Sequence, residues 1–364
     1  MGLQPELASP MSPAWVPRPP GPLAARWCKV ANLVCSKGAG ARFGGAARSA
    51  FAVLAVFAIG LADLAGHPVR SQSSRAVRLI VGFPPGGTTD VIARTLAEHI
   101  SRTQSVSVLV ENRPGAAASL AYTAVARAVA DGNTLGINAN SLVINPYLQQ
   151  VEYNPFSSFE PVCNLLKSSQ VIVVHIDSPY RTLTDLVNAA RARPGELTLA
   201  SSGPTTPQHI GFEQLKRAAN FDMTQVPFSG GLTSVGAVLG GHVTSTFVNL
   251  SEVVEAVQAG KLRPLAVASR ERIGQLPNVP TFIESGFREF ELEVWYGVIA
   301  PAKTPKQTLK ELENWFSTAL QSPELKGKFA TLGLDPLAMC GDDYAAFIRK
   351  QYGIYGDALR NVAR

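Results

Sequence analysis

After residue 76 the chain alternates between two hydrophobic patterns, a short β-branched run and an apolar repeat of helical period. Residues 77–81 predict a strand, and a Gly/Pro-rich loop separates it from a helix that starts near Thr89 and places Ile92, Leu96 and Ile100 on one face. The same reasoning predicts strands at 106–110, 135–138, 171–175 and 197–201, helices at 118–130, 183–193, 304–319 and 342–364, and a surface connection at 272–286. This alternation favours an α/β fold with a mainly parallel sheet and helices on both faces.

The first 74 residues differ from the rest and predict a signal or leader segment. Residues 1–49 are rich in Pro, Gly, Ala and Arg, and an apolar run of 13 residues, 50–62, follows Arg42 and Arg48. A basic flank before a short apolar segment is the pattern of a secretory signal. A membrane-spanning helix needs about 20 apolar residues, so we expect export rather than a permanent anchor.

Most of the net charge lies in this leader. The whole chain carries a formal charge of +6, of which the leader contributes +5 and the remainder +1. With 46% hydrophobic and 16% charged residues, the composition suits a well-buried globular protein rather than a disordered one. No basic stripe with interleaved aromatic residues remains in the body, so we expect no nucleic-acid partner.

The cysteines and histidines form no metal or redox motif. There is no CxxC, and the five histidines lack ligand spacing, so neither a metal nor a cofactor is predicted. Two cysteines lie in the leader, and Cys163 and Cys340 lie in the body. In an oxidising compartment these two can pair. However, two lone cysteines this far apart are more often buried and free, which is what we expect.

Two loops carry the candidate chemistry, each between a predicted strand and a predicted helix. The first is FPPGGTTD at 83–90, in which two glycines allow close backbone approach to a ligand and Thr88 or Thr89 is expected to cap the helix. The second is ASSGPTTP at 200–207, in which Thr206 as N-cap and Pro207 at the first helical position predict a helix start. Each loop therefore aims backbone N–H groups, hydroxyls and a positive helix end at one point.

A carboxylate is the anion that such loops suit. A helix end contributes about 0.3–1 kcal/mol, and each hydrogen bond to a charged group about 1.5–3 kcal/mol. Two loops on one ligand can reach the roughly 8 kcal/mol of micromolar binding without a lysine or arginine. Glycine-rich turns also follow strands in any open α/β protein, so neither loop decides the function alone.

Phosphate binding and catalysis have weaker support. The P-loop pattern is absent, and the only Gly-rich dinucleotide-like stretch, 38–40, lies in the leader. The best nucleophilic triad combines Ser202, His209 and Asp90, but no GxSxG elbow surrounds the serine. We expect a binding protein and not an enzyme, with a hydrolase-like enzyme using Ser202 and His209 as the alternative.

A series of short motifs runs through the body in a fixed order. They are VRLIV at 77–81 leading into FPPGG at 83–87 with Asp90, ENRPGA at 111–116, DG at 131–132 before TL, INP at 144–146, ASSG at 200–203, AGKLR at 259–263, LPNVPT at 276–281 and the segment 295–301. Together they resemble the substrate-binding receptors of tripartite tricarboxylate transporters, the Bordetella uptake gene family, over nearly all of 77–364.

The resemblance implies a type II periplasmic-binding-protein fold, in which two α/β lobes enclose a ligand cleft as in a Venus flytrap. We expect residues 75–175 with 297–364 to form one lobe and 176–296 the other. It also implies a periplasmic solute-binding protein that captures a small organic carboxylate for the membrane permease subunits of a tripartite tricarboxylate-type transporter. A ligand-sensing receptor for a signalling partner is the alternative.

The resemblance also assigns ligand-binding residues. They are Phe83, Gly86, Gly87, Thr88 and Asp90 in the first loop, Ser202, Gly203 and Thr205 in the second, and Asn138, Asn140 and Phe228 around the rest of the cleft. Asp90 is expected to cap its helix or to organise cleft water, because a bare carboxylate repels an anionic ligand. Where many members have Asp, this chain has Val248 before Asn249, which argues against an amino-acid ligand and favours a less polar carboxylate, such as an aromatic one.

Overall fold

The computed structural model describes residues 75–203, 206–287 and 290–362, so the predicted leader, including its apolar run at 50–62, lies outside the described residues. The strands within the described part are β1 (Ala76–Val81), β2 (Ser107–Asn112), β3 (Thr134–Ala139), β4 (Phe159–His175), β5 (Thr198–Ser201), β6 (Thr224–Pro227), β7 (Ser245–Asn249), β8 (Leu262–Val267), β9 (Glu293–Pro301) and β10 (Leu334–Cys340). The helices there are α1 (Thr88–Gln104), α2 (Ser119–Ala126), α3 (Ser141–Leu148), α4 (Leu183–Ala192), α5 (Pro207–Ala219), α6 (Gly231–Leu239), α7 (Val254–Gln258), α8 (Lys306–Gln321), α9 (Pro323–Thr331) and α10 (Gly341–Val362).

The strands form a sheet with two parts that share β4. The order is β2-β1-β3-β9-β4-β7-β5-β6, and β8 and β10 also pair with β4. Residues 159–169 of β4 pair with β9, whereas 170–174 pair with β7. We call β1–β3, β9 and β10 the first half of the sheet and β5–β8 the second half.

The sheet is mixed, so the expectation of a mainly parallel sheet was wrong. Among the described strands, β1–β2, β1–β3, β5–β6 and β5–β7 are parallel. The pairs β3–β9, β4–β9, β4–β10, β4–β7 and β4–β8 are antiparallel. The sequence pattern detected only the last five residues of β4, because the polar stretch 167–170 interrupts the apolar run although Ser168, Ser169 and Gln170 are buried.

Apolar side chains cover both faces of both halves. In the first half, Leu79 of β1 packs with Ile92 of α1 on one face, while Ile80 belongs to the cluster on the opposite face. In the second half, the neighbouring residues Val171 and Ile172 of β4 likewise belong to clusters on opposite faces of the sheet. This is the period-2 alternation of a strand that is buried on both sides, and each such side chain stabilises the fold by about 1.5–3 kcal/mol.

The helices that follow the two loops start differently: a threonine side chain caps α5 but not α1. The predicted α1 face is confirmed, since Ile92, Leu96 and Ile100 are buried. The predicted threonine cap of α1 was wrong: the N-cap residue is Gly87, which has no side chain to cap the helix, and Thr88 already lies inside the first turn. At α5 the prediction is confirmed, because the hydroxyl of Thr206 accepts a hydrogen bond from the His209 N–H at 3.4 Å.

Cys163 and Cys340 form a disulfide, which corrects the expectation that they are free. The two residues lie directly opposite each other in the antiparallel pair β4–β10. Their sequence separation of 177 hid this proximity, and β10 was not predicted from the sequence. None of the described helices has the length and hydropathy that crossing a bilayer requires.

Candidate ligand-binding cavity

A cavity lies where the loops after β1, β5, β6 and β7 meet. The loop before α1 contributes Phe83, Pro84, Pro85, Gly87, Thr88 and Thr89. The second predicted loop and the start of α5 contribute Ser202, Thr206, Pro207 and Gln208. The structure therefore brings the two sequence-predicted loops to one cavity, between the first and second halves of the sheet.

Asp90 holds the first loop in place from behind the cavity wall. Its carboxylate accepts hydrogen bonds from the Gly86 N–H at 2.9 Å, from Arg94 Nε at 2.9 Å and from Asn112 Nδ2 at 2.8 Å. Asn112 Nδ2 also donates to the Phe83 carbonyl at 3.1 Å, so both ends of the loop are tied to one network. Burial opposes ionisation of Asp90, but the hydrogen bonds from Arg94, Gly86 and Asn112 outweigh it and lower its pKa.

Gly86 gives this loop its sharp turn. Its φ is +85°, a left-handed conformation that glycine adopts readily, and it turns the Gly86 N–H towards Asp90. Gly86 itself is not part of the cavity wall, although its neighbour Gly87 is. Gly86 therefore shapes the loop, while Gly87 and Thr88 face the cavity.

The second loop offers hydrogen-bonding groups that the protein does not use. The Ser202 hydroxyl is buried and has no hydrogen-bond partner among the described residues. Gly203 has a φ of +119°, and its carbonyl accepts from the Thr206 hydroxyl at 2.8 Å. Thr205 lies outside the described residues. The Ser202 hydroxyl therefore remains available to a ligand.

A third helix start, which the sequence reasoning missed, completes the wall. Gly230, Gly231, Leu232 and Thr233, at the start of α6, line the cavity opposite α1. A glycine pair after a strand was the available signal, since Gly230-Gly231 repeats the arrangement of Gly86-Gly87. The first turns of α1, α5 and α6 all contribute residues to the same wall, and helix N-termini favour negative charge.

Three polar residues that were not predicted as site residues also line this wall, namely Tyr296, Asn249 and Glu252. The Tyr296 hydroxyl donates to Asn249 Oδ1 at 2.7 Å, and Asn249 Nδ2 lies 3.2 Å from the Glu252 carboxylate. Burial raises the pKa of Glu252, and hydrogen bonds from Asn249 and the Thr88 N–H offset part of that effect. Burial and the nearby charge of Glu252 raise the pKa of Tyr296 well above its usual value, so its hydroxyl stays protonated.

The cavity wall is formally almost uncharged. Among the described residues that line it there is no lysine, arginine or histidine, and Glu252 is its single carboxylate. Its hydrogen-bonding groups are backbone N–H groups at helix starts, hydroxyls and amides. Within the described chain no cluster of His, Cys, Asp and Glu is arranged for a metal ion.

A neighbouring cavity shares Phe83 and Ser202 with the first. Gly203 and Phe228 line this second cavity, together with residues 114–118 and Gln149. Among the predicted ligand-binding residues, Phe83 and Ser202 line both spaces, whereas Gly87 and Thr88 line only the first and Gly203 and Phe228 only the second.

Asn138 and Asn140 lie behind these spaces, on neither wall. Both are fully buried, and their amides bind helix α10: Asn138 Nδ2 donates to the Tyr344 hydroxyl at 2.8 Å and Asn140 Nδ2 to the Tyr355 hydroxyl at 2.7 Å. Asn140 Oδ1 also accepts from the Trp295 N–H at 3.0 Å. The structure therefore places both residues as connections between β3, β9 and α10.

The structure does not assemble the alternative triad. Ser202 Oγ and His209 Nδ1 have no hydrogen-bond partner among the described residues. Asp90 is occupied by Gly86, Arg94 and Asn112 instead. Burial lowers the pKa of His209. No described contact links nucleophile, base and acid.

Comparison with known proteins agrees with this arrangement. Residues 92–362 match the family model described as the tripartite tricarboxylate transporter family receptor. Protein BugT of Bordetella pertussis is 31% identical over 316 residues, which cover 85% of this chain and 96% of BugT. The periplasmic binding protein BugD has a structure that superposes with a TM-score of 0.76 at 27% identity, covering 82% of this chain and 99% of BugD.

A structure of an R. palustris protein with adipate superposes with a TM-score of 0.77 at 28% identity, covering 80% of this chain and 99% of that one. These neighbours confirm the predicted type II periplasmic-binding-protein fold. The family model matches residues 92–362, and the 31% identity to BugT extends over 85% of this chain. The chain belongs to the tripartite tricarboxylate transporter family of receptors.

Proposed function

We propose that this chain is a periplasmic receptor that captures a small organic carboxylate and delivers it to the membrane permease subunits of a tripartite tricarboxylate-type transporter. The observation that carries the proposal is the cavity itself: the starts of α1, α5 and α6 meet there. Such helix starts hold an anion without a lysine or arginine. The adipate in the R. palustris neighbour supports a carboxylate as the ligand class.

We propose further that the ligand is a weakly polar carboxylate. Phe83, Pro84 and Pro85 line one side of the cavity, and Leu232 and Val294 also belong to its wall. A hydrocarbon or aromatic body against these side chains gains about 25 cal/mol for each Å² of apolar surface removed from water. The carboxylate then lies against the backbone N–H groups and the Ser202 hydroxyl, and the apolar wall favours ligands with few further polar groups.

The proposed receptor binds by closing two lobes, 75–175 with 297–364 and 176–296. Strand β4 runs through both halves of the sheet, and at the cavity the start of α1 contacts the turn after β7 through hydrogen bonds. One of them joins the hydroxyls of Thr88 and Ser251 at 2.7 Å. Small-angle scattering should give a smaller radius of gyration with a saturating ligand, and identical curves with and without it would contradict lobe closure.

A thermal-shift screen tests the ligand class. The exported protein, produced from the full chain, is heated with benzoate, adipate, citrate and aspartate, and with the neutral amides of benzoate and adipate as matched controls. A ligand at 100 times its Kd stabilises the native state by about 2.7 kcal/mol, so a carboxylate that binds should raise the Tm while its amide should not. If no carboxylate raises the Tm, or the amides do so equally, the proposal fails.

A further inference from the structure

A carboxylate of the protein itself lies where the ligand carboxylate is expected. Glu252 Oε1 is 3.5 Å from the Thr88 backbone nitrogen, in the first turn of α1. Glu252 Oε2 is 3.3 Å from the Asn249 backbone nitrogen. On the other side the carboxylate packs so closely on Gly231, the first residue of α6, that a Cβ there would overlap it. The Glu252 side chain therefore lies between the starts of two helices whose N–H groups suit an anion.

No positive side chain of the cavity wall neutralises this carboxylate. From β9 the titratable group that faces it is Tyr296, whose hydroxyl is engaged by Asn249. From α1 the charged residue of the first turn is Asp90, whose carboxylate is bound by Arg94, Gly86 and Asn112. The sequences of α6 and β7 contain no titratable residue, and Glu255 in α7 is exposed.

We propose that Glu252 controls carboxylate binding through its protonation state, so that a ligand carboxylate binds in the cavity beside Glu252 only when Glu252 carries a proton. Two carboxylates that share one site do not both ionise, because like charges at short range disfavour the charged form. The proton comes from solvent, and the Glu252 carboxyl then donates it in a hydrogen bond to the ligand carboxylate. The inference rests on the proposed function, since it requires a carboxylate ligand in this cavity.

Burial of Glu252 shifts its titration towards neutral pH, although hydrogen bonds from Asn249 and Thr88 offset part of this shift. Burial raises its pKa, which brings protonation closer to neutral pH than for an exposed glutamate. Binding of one ligand then takes up one proton, and the apparent Kd for a carboxylate rises tenfold for each pH unit above the titration of Glu252 in the free receptor. A receptor with this property binds carboxylates more tightly in acidic than in alkaline surroundings.

Calorimetric titration of the exported protein with adipate tests this directly. We would measure the Kd from about pH 6.5 to about pH 8.5, where the ligand carboxyls stay ionised, in buffers of different ionisation enthalpy. The wild type should take up close to one proton per adipate and bind progressively more weakly with rising pH. Glu252→Gln should bind adipate at least tenfold more tightly than wild type at the alkaline end, with no pH dependence. Glu255→Gln, which removes the same charge at an exposed site of the neighbouring helix, should behave as wild type.

The outcomes separate this inference from the proposed function. If wild type and Glu252→Gln bind adipate with the same pH-independent Kd and no proton uptake, the inference is overturned while the receptor function stands. If aspartate binds wild type better than adipate and Glu252→Gln abolishes that binding, Glu252 pairs with an ammonium group and the inference is again overturned. If neither protein binds any carboxylate of the screen, both proposals fail. Should Glu252→Gln not fold, the proton count of the wild type decides alone.

Discussion

Replacing Asp90 by alanine should loosen the first cavity loop and lower the free energy of unfolding by about 3 kcal/mol. Hydrogen bonds to an ionised group contribute about 1.5–3 kcal/mol each, and Asp90, which is 3% exposed, accepts three. The bond from Arg94 counts least, because the Arg94 side chain is 53% exposed and an exposed ion pair contributes less than about 1 kcal/mol. The bonds from the Gly86 N–H and Asn112 therefore supply most of the loss.

Urea unfolding, followed through the fluorescence of the buried Trp295 and Trp315, measures the change. Arg94→Ala serves as the comparison and should cost less than about 1 kcal/mol. Asp343→Ala, at an exposed acid of α10, is the matched control and should stay within about 0.5 kcal/mol of wild type. Equal losses for Asp90→Ala and Arg94→Ala would refute the reasoning, because they would show that the ion pair and not the loop backbone is the important partner.

The pH dependence of this loss follows from the sign of the pKa shift. Because the hydrogen bonds from Arg94, Gly86 and Asn112 lower the pKa of Asp90 in the folded state despite its burial, the folded protein binds fewer protons here than the unfolded chain. The stabilisation is present above the unfolded pKa of about 3.9 and is lost as pH falls through the lower folded value. The difference between wild type and Asp90→Ala should therefore be constant near neutral pH and shrink below about pH 4. A difference that shrinks near neutral pH instead would contradict it.

Further predictions concern groups in the cavity and the disulfide. Because burial raises the pKa of Glu252, its contribution to stability falls as pH rises above about 4.5, so Glu252→Gln should raise the Tm at neutral pH and match wild type in acid. Reducing the Cys163–Cys340 disulfide should cost about 2–5 kcal/mol in urea unfolding, with Cys163→Ala/Cys340→Ala insensitive to reductant. Ser202→Ala breaks no described hydrogen bond, so the Tm should change little while carboxylate affinity in calorimetry falls about tenfold or more.

The local parts of the fold were predictable because their signals are local. The helical spacing of Ile92, Leu96 and Ile100 marks the buried face of α1 without reference to the rest of the chain, and the Thr206-Pro207 pair marks the start of α5. The two loops next to these helix starts reach the cavity because the carboxyl ends of strands in an α/β sheet lie at one edge. What the sequence did not supply was the antiparallel pairing of β4 and β9, which depends on contacts between segments about 130 residues apart.

The rest of the site depends on such distant contacts. Thr88 and Glu252 are 164 residues apart, and only the pairing of β7 with β4 brings the turn that carries Glu252 to the start of α1. Asn138 and Asn140 end a buried strand, where polar side chains often face a ligand. Here α10 packs behind that strand and its tyrosine hydroxyls bind both amides, an arrangement that depends on a helix more than 200 residues later.

Two hydrogen bonds between uncharged groups join the two halves of the sheet at the cavity. The Thr88 and Ser251 hydroxyls meet at 2.7 Å, and the Tyr296 hydroxyl binds Asn249 at 2.7 Å. Both contacts are neutral, so neither responds to a change of pH in the physiological range. Glu252 is the exception, because its carboxyl group can gain or lose a proton. It contacts Thr88 on one side and Gly231 on the other. A ligand shifts the balance between open and closed forms only by its differential affinity for them, and Glu252 is the group on this wall whose charge can change that affinity.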